Sequence, residues 1–195
     1  MVARSLVKWP SSSLLEVSDA VVDFDASLLE ICQDLVDTMT SNYGAGLAAV
    51  QIGCKKSLFV LREDYVPSLP TDPHFESVVV VVNPKIEVLS DEVFAWEEAC
   101  LSVDDISAKV NRSQKIKVEF KNSSGETIIS VLENSESASF QHESDHLLGK
   151  LFIHRLSGTT RSIVQRKLRK KAIKNRAQQR AKKSIGQRNS KKKRK

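Results

Sequence analysis

The sequence predicts an α+β domain: mostly antiparallel strands packed around a central HExxH helix, with an N-terminal helix and a basic C-terminal helix or tail. Three observations predict it. An apolar stripe of helical period lies near the start, short strand-like runs fill the middle, and His-Glu-x-x-His stands late, at 142–146.

Residues 25–42 set Leu28, Ile31, Cys32, Leu35, Val36 and Met39 on one helical face. Asp25 is the expected N-cap, and Tyr43-Gly44 the expected left-handed exit. GAGLAAVQIG (44–53) leads into a strand at 57–61, and a loop rich in Pro and Asp (66–74) separates that from a strand at 77–89. The VVVVV core of the latter (78–82) reads as buried. Further strands are expected at 93–96, 115–120 and 127–132, the last two joined as a hairpin through KNSSGE. QHESDHLLGKLF (141–152) then supplies a helix ending at Gly149, with SESAS (135–139) just before it. No internal repeat is visible.

The length of 195 residues suits one substantial core. No apolar run is long enough to span a membrane, and the N-terminus lacks the apolar stretch of a secretory signal. Three irregularly spaced cysteines argue against a disulfide framework and for a reducing compartment, so the cytoplasm is expected. The net charge of +6 hides a division. Residues 161–195 carry 17 of the 30 Lys and Arg, no acidic residue follows Asp145, and residues 1–160 carry a net −11. The boundaries that follow are a body, 1–156, and a basic extension, 157–195, expected to be helical over 161–183 along Ile163, Leu168, Ala172 and Ile173 and disordered thereafter.

On a helix, His142 and His146 share a face one turn apart, so both imidazoles can reach one metal ion while Glu143 leans over it. The plain alternative is a surface helix with two solvated histidines. A metal with an open coordination position needs a third protein ligand. Cys100, in EEACLSV (97–103), is the candidate; Cys32 belongs to an apolar stripe, and Cys54 beside Lys55 and Lys56 reads as incidental.

Three segments in order, GAGLAAVQ (44–51), EACLS (98–102) and QHESDHL (141–147), resemble the signature motifs of the peptide deformylases. The resemblance extends through Trp9-Pro10, VNPKI (82–86) and HLLGKLF (146–152), covering roughly residues 8–156. It implies a metal-dependent hydrolase that removes the formyl group from the formyl-methionine of nascent polypeptides. Cys100, His142 and His146 would hold the metal, a water at its open position would become the attacking hydroxide, and Glu143 would serve as base and then acid. The Gln51 amide and the Leu101 backbone N–H would stabilise the oxyanion. Gly44, Ala45, Gly46, Trp96, Ala138 and Ser139 would line the substrate site, Gly44 and Gly46 by admitting close backbone approach. Glu98 would be fixed by Arg112 and so orient the loop carrying Cys100; otherwise the two are a surface pair of little consequence.

The ligand set alone suits zinc, whereas the resemblance implies Fe(2+) as the working ion, with Zn(2+) or Ni(2+) carried by purified protein. The resemblance further implies a monomer that docks its basic tail on ribosomal RNA phosphates, through Arg166, Lys167, Arg169, Lys170, Lys171 and Lys174. The sequence departs from the family at Ala99, where glycine is usual, and at Asp104-Asp105, where proline often follows CLSV. It departs again at Ser107, the place of a substrate-holding basic residue, and in Asn134 and SESAS, which replace a glycine and larger apolar groups. An HExxH peptidase and a catalytically idle ribosome or RNA ligand are the competing readings. The first lacks a use for Cys100 and GAGLAAVQ; the second lacks a use for an intact Glu143 and Gln51.

Overall fold

The computed structural model describes residues 3–173. They divide into two compact units, one ending at Leu156 and one beginning at Ser157. In the first unit, helix α1 spans Ala26–Ser41 and is followed by strands β1 (Gly46–Ala48), β2 (Leu58–Arg62) and β3 (Val78–Val88). Then come β4 (Val93–Cys100), β5 (Val103–Ser113), β6 (Lys115–Lys121), β7 (Thr127–Glu133) and helix α2 (Asn134–Leu147). The strands form a five-stranded sheet in the order β1-β2-β3-β6-β7 and a separate β4-β5 hairpin. Every pairing is antiparallel.

The valine run of β3 shows why those residues are all apolar. Val79 and Val81 join Phe59, Leu61, Phe120 and Phe140 in one core. Val78, Val80 and Val82 join Leu28, Cys32, Leu35 and Met39 of α1 in another. Successive residues of a strand face opposite ways, so a sheet buried on both faces needs apolar residues at every position. Burying each such side chain contributes about 1.5–3 kcal/mol, so this short run anchors both layers. Beyond it β3 bulges between Val82 and Lys85. There Asn83 adopts φ 51° and its amide bonds both backbone groups of Val21, at 2.9 and 2.8 Å.

Asp25 caps α1 as expected, its Oδ1 accepting from the N–H groups of Ser27 and Leu28 at 3.0 and 3.2 Å. The helix leaves through Tyr43, whose φ is 54°, and not through Gly44. At Gly44 a Cβ would lie 2.9 Å from Leu101 Cδ1, so that side chain would have to shift.

Two expectations are corrected in extent. Strand β4 runs on to Cys100, and β5 is a long strand absent from the sequence reading. Helix α2 begins at Asn134, so SESAS forms its first turns instead of an approach to it. At its far end Gly149, with φ 67°, turns the chain where a Cβ would stand 2.4 Å from the Leu15 carbonyl oxygen.

In the second unit, residues 158–173 are helical. Val164 and Leu168 are its buried pair, while Ile163 and Ile173 of the expected seam are 43% and 69% exposed. Lys174 and the segment expected to be disordered lie outside the described residues. No helix among the described residues is long and apolar enough to cross a membrane.

Candidate active site

Strand β4 and helix α2 bring the candidate ligands together. Cys100 ends β4, and a two-residue turn, Leu101-Ser102, leads to Val103, its partner in β5. His142 and His146 lie one turn apart on α2, with ring centroids 5.3 Å apart. One donor atom from each of Cys100, His142 and His146 lies within 4.8 Å of the others, and Cys100 Sγ stands 3.3 Å from His146 Nε2.

The electrostatics suit a cation. Burial alone would push the Cys100 thiol up, but charge on His146 and hydrogen bonds from both histidines outweigh it and bring it to about 5. Burial works against the protonated form of His142, yet the Cys100 and Glu98 contacts and the Glu143 charge raise it well above the usual histidine value. A thiolate and two imidazoles gathered this closely are a zinc- or iron-type donor set, so the residues present fit a divalent ion.

A buried charge network stands behind the donors. His142 Nδ1 lies 2.6 Å from Glu98 Oε2. The carboxylate can only accept, so Nδ1 keeps its proton, and Nε2 is the nitrogen whose proton an incoming cation would displace. Arg112 grips Glu98 with two bonds of 2.6 and 2.9 Å and donates to Asp145 Oδ2 at 2.6 Å. Arg155 donates to Asp145 from the other side. Glu98 and Arg112 are 4% and 2% exposed, which excludes the surface-pair alternative. Burial pushes the Glu98 carboxyl up, and His142 and Arg112 more than reverse it.

Glu143 is buried, with Oε2 making no hydrogen bond among the described residues. Burial raises its carboxyl above the usual range, against the opposing charges of His142 and His146. Gln51 lies in a short 3-10 turn, Ala49–Ile52, after β1. Its Oε1 accepts from the Ala48 N–H at 2.8 Å, and its Nε2 reaches Ser102 Oγ at 3.1 Å and Cys100 Sγ at 3.5 Å.

A cavity of about 300 Å³ opens beside these groups, lined by Ala45, Gly46, Trp96, Ala138 and Ser139 together with His142 and Glu143. Gly44 lines a neighbouring cavity of about 470 Å³, with Ala45, Ala99, Cys100 and Leu101. Arg166, Lys167, Arg169 and Lys170 are exposed and Lys171 half-buried on the helical segment of the second unit.

Sequence reasoning missed Asp145, Arg155, Ser102 and two residues of the cavity wall, Leu61 and Tyr65. Asp145 carried a signal, a carboxylate beside a candidate metal-ligating histidine on a helix that packs inward. Ser102 and Tyr65 carried none.

The polypeptide deformylase family profile matches residues 3–162. The chain belongs to the peptide deformylase family. It is 37% identical over 172 residues to the peptide deformylase of Bartonella tribocorum, covering 88% of this chain and 94% of that one. The crystal structure of a Legionella pneumophila peptide deformylase superposes with TM-score 0.77 at 35% identity, covering 90% and 99% of the two chains. A Met-Ala-Ser-bound deformylase from Acinetobacter baumannii superposes with TM-score 0.70 at 29% identity, covering 80% and 99%. As a deformylase the chain is a hydrolase acting on the formyl-methionine of nascent peptides, and the family's metal dependence matches its Cys/His/His cluster.

Proposed function

We propose that deformylation takes place where Cys100, His142 and His146 converge, with Glu143 moving the proton. The observation that carries this reading is the gathering of three donors within 4.8 Å of one another beside a buried carboxylate with an oxygen that has no hydrogen-bond partner among the described residues. Held by Cys100, His142 and His146, a divalent ion would supply Lewis-acid charge and make a water more acidic.

The methionine side chain enters the cavity between Trp96 and the Ala138-Ser139 wall. The Acinetobacter baumannii structure holds Met-Ala-Ser, and an equivalent peptide is proposed here. Glu143 accepts a proton from the attacking water and delivers it to the departing amine nitrogen. Its raised carboxyl favours holding that proton between the two steps. The Leu101 N–H and the Gln51 amide brace the formyl oxygen as it gains charge, Gln51 exchanging its longer contact, to sulfur, for that oxygen. The C–N bond breaks, leaving formate and a free methionine amine. Glu98, held by Arg112, keeps the His142 ring oriented.

The ion proposed is Fe(2+), on the resemblance of the three motifs; the donor set by itself suits zinc as well. The setting proposed is the cytoplasm, with the protein a monomer at the ribosome. The density of Lys and Arg after residue 160 supports phosphate contact. Anaerobically iron-loaded protein should release formate from formyl-Met-Ala-Ser, and Glu143→Gln should lose that activity while keeping its metal. Cleavage of internal peptide bonds would favour the peptidase, and ribosome binding without formate release the idle ligand. Removing residues 161–195 should abolish ribosome co-sedimentation; unchanged co-sedimentation would refute the docking role.

A further inference from the structure

Val7, Lys8 and Trp9 lie outside the three motifs, yet each bonds to one of them. The Val7 N–H donates to the Gln51 carbonyl at 2.8 Å, and the Trp9 N–H to the Ser102 carbonyl at 2.9 Å. Between them Lys8 Nζ donates to the Leu101 carbonyl at 2.6 Å and to Asp104 Oδ1 at 2.7 Å. Gln51 Nε2 closes the circuit on Ser102 Oγ at 3.1 Å. One tripeptide thus ties together the two segments that carry the oxyanion donors.

The Lys8 ammonium has two partners of different kind, a carboxylate and a backbone carbonyl. Its side chain is 41% exposed and that of Asp104 40%, so their ion pair alone adds little stability. An ammonium on a backbone carbonyl is a charge-assisted bond, stronger than a neutral one. It fixes the peptide plane after Leu101, while the Trp9 N–H fixes the next. With both carbonyls of the two-residue turn held, the Cys100-Leu101 peptide is clamped between the end of β4 and a fixed plane. From the other side the Leu101 side chain packs where a Cβ on Gly44 would stand, 2.9 Å from Cδ1.

We infer that Lys8 is a positioning residue for deformylation, holding the Leu101-Ser102 turn so that the Leu101 N–H and the Gln51 amide aim at the same oxygen. This rests on the reading of those two donors given above. The test is kcat and KM for formyl-Met-Ala-Ser with iron-loaded full-length Lys8→Met, Lys8→Arg, Asp104→Asn and Gln51→Ala. Lys8→Met should lower kcat about tenfold, less than losing an oxyanion donor outright, with KM, metal content and urea midpoint unchanged. Lys8→Arg should recover most of the loss, because a guanidinium can also donate to the carbonyl. Asp104→Asn should stay near wild type.

A wild-type kcat in Lys8→Met, or a loss confined to KM, overturns the inference. So does a fall in kcat matched by lost metal or a lower urea midpoint, or an Asp104→Asn variant as impaired as Lys8→Met. Full activity in Gln51→Ala would refute the donor reading and take this inference with it. An impaired Gln51→Ala beside a fully active Lys8→Met refutes the role of Lys8 alone.

Discussion

Gly46 lies flush against the carboxylate of Glu143: a Cβ at that position would stand 2.7 Å from Oε1 and 2.9 Å from Cδ, and 2.8 Å from Leu61 Cδ2. The glycine of the first motif therefore sets the position of the catalytic candidate of the third. Gly46→Ala should displace Glu143, and a misplacement approaching 1 Å costs on the order of 100-fold in rate. The overpacking should cost about 1–3 kcal/mol of stability. Formate-release kinetics beside urea unfolding check both, and a wild-type rate would show that Glu143 has room to spare.

Arg112 neutralises two buried carboxylates at once, Glu98 and Asp145. Arg112→Met should strip the guanidinium from both, leaving Glu98 beside His142 and Asp145 beside Arg155, and destabilise the fold by up to about 3–5 kcal/mol. Metal affinity should fall about 10–100-fold as Glu98 loses its hold on His142. Chelator competition measures the second effect, and an unchanged affinity would separate Glu98 from the metal.

Asp145 predicts the direction of acid sensitivity. Burial pushes its carboxyl up, but Arg155 and Arg112 outweigh burial and hold it below the ordinary range. A carboxyl depressed in the folded state stabilises the protein above its unfolded pKa of about 3.9, and that stability is lost as pH falls through the folded value. Urea midpoints should therefore drop on acidification below about pH 4. Asp145→Asn should be less stable near neutrality and show a shallower acid slope. A slope identical to wild type would assign the sensitivity to other groups.

The thiols should part company when metal is removed. Cys100 is held at about 5, while burial, with the charges of Asp72 and Cys54, pushes Cys32 to about 12. By roughly pH 6 about nine-tenths of Cys100 is thiolate. Iodoacetamide should modify Cys100 of chelator-treated protein at a rate nearly flat above that pH and leave Cys32 intact. Zinc or iron should protect it. Labelling of Cys100 that rises steadily toward pH 9 would show an ordinary thiol.

The stripe of α1, the valine run and Asp25 as a cap were legible through spacing; the spacing of His142 and His146 marked them as one helical face, and the structure gathers Cys100 beside them. Strand β5 was not legible. In VDDISAKVNRS only Val103 and Val110 are buried hydrophobics, because the β4-β5 hairpin does not belong to the doubly buried sheet, and its paired acids read as a loop. The start of α2 was hidden by SESAS, a polar stretch of weak helical preference that packing overrides: Ser137 and Ala138 are fully buried. Contacts such as Lys8 with Leu101 join a side chain to a backbone group and leave no pattern in composition or period.

Because α2 starts at Asn134, the cavity wall at Ala138 and Ser139 and the candidate donors His142 and His146 ride on one continuous rod. At i and i+4, Ala138 and His142 are successive rungs of the same face. Side chains on the upper rung can change size without shifting the lower one, since the backbone ladder sets the spacing and not the side chains. Selection, natural or in the laboratory, can thus recut the cavity beside Trp96 while the two histidines keep their places.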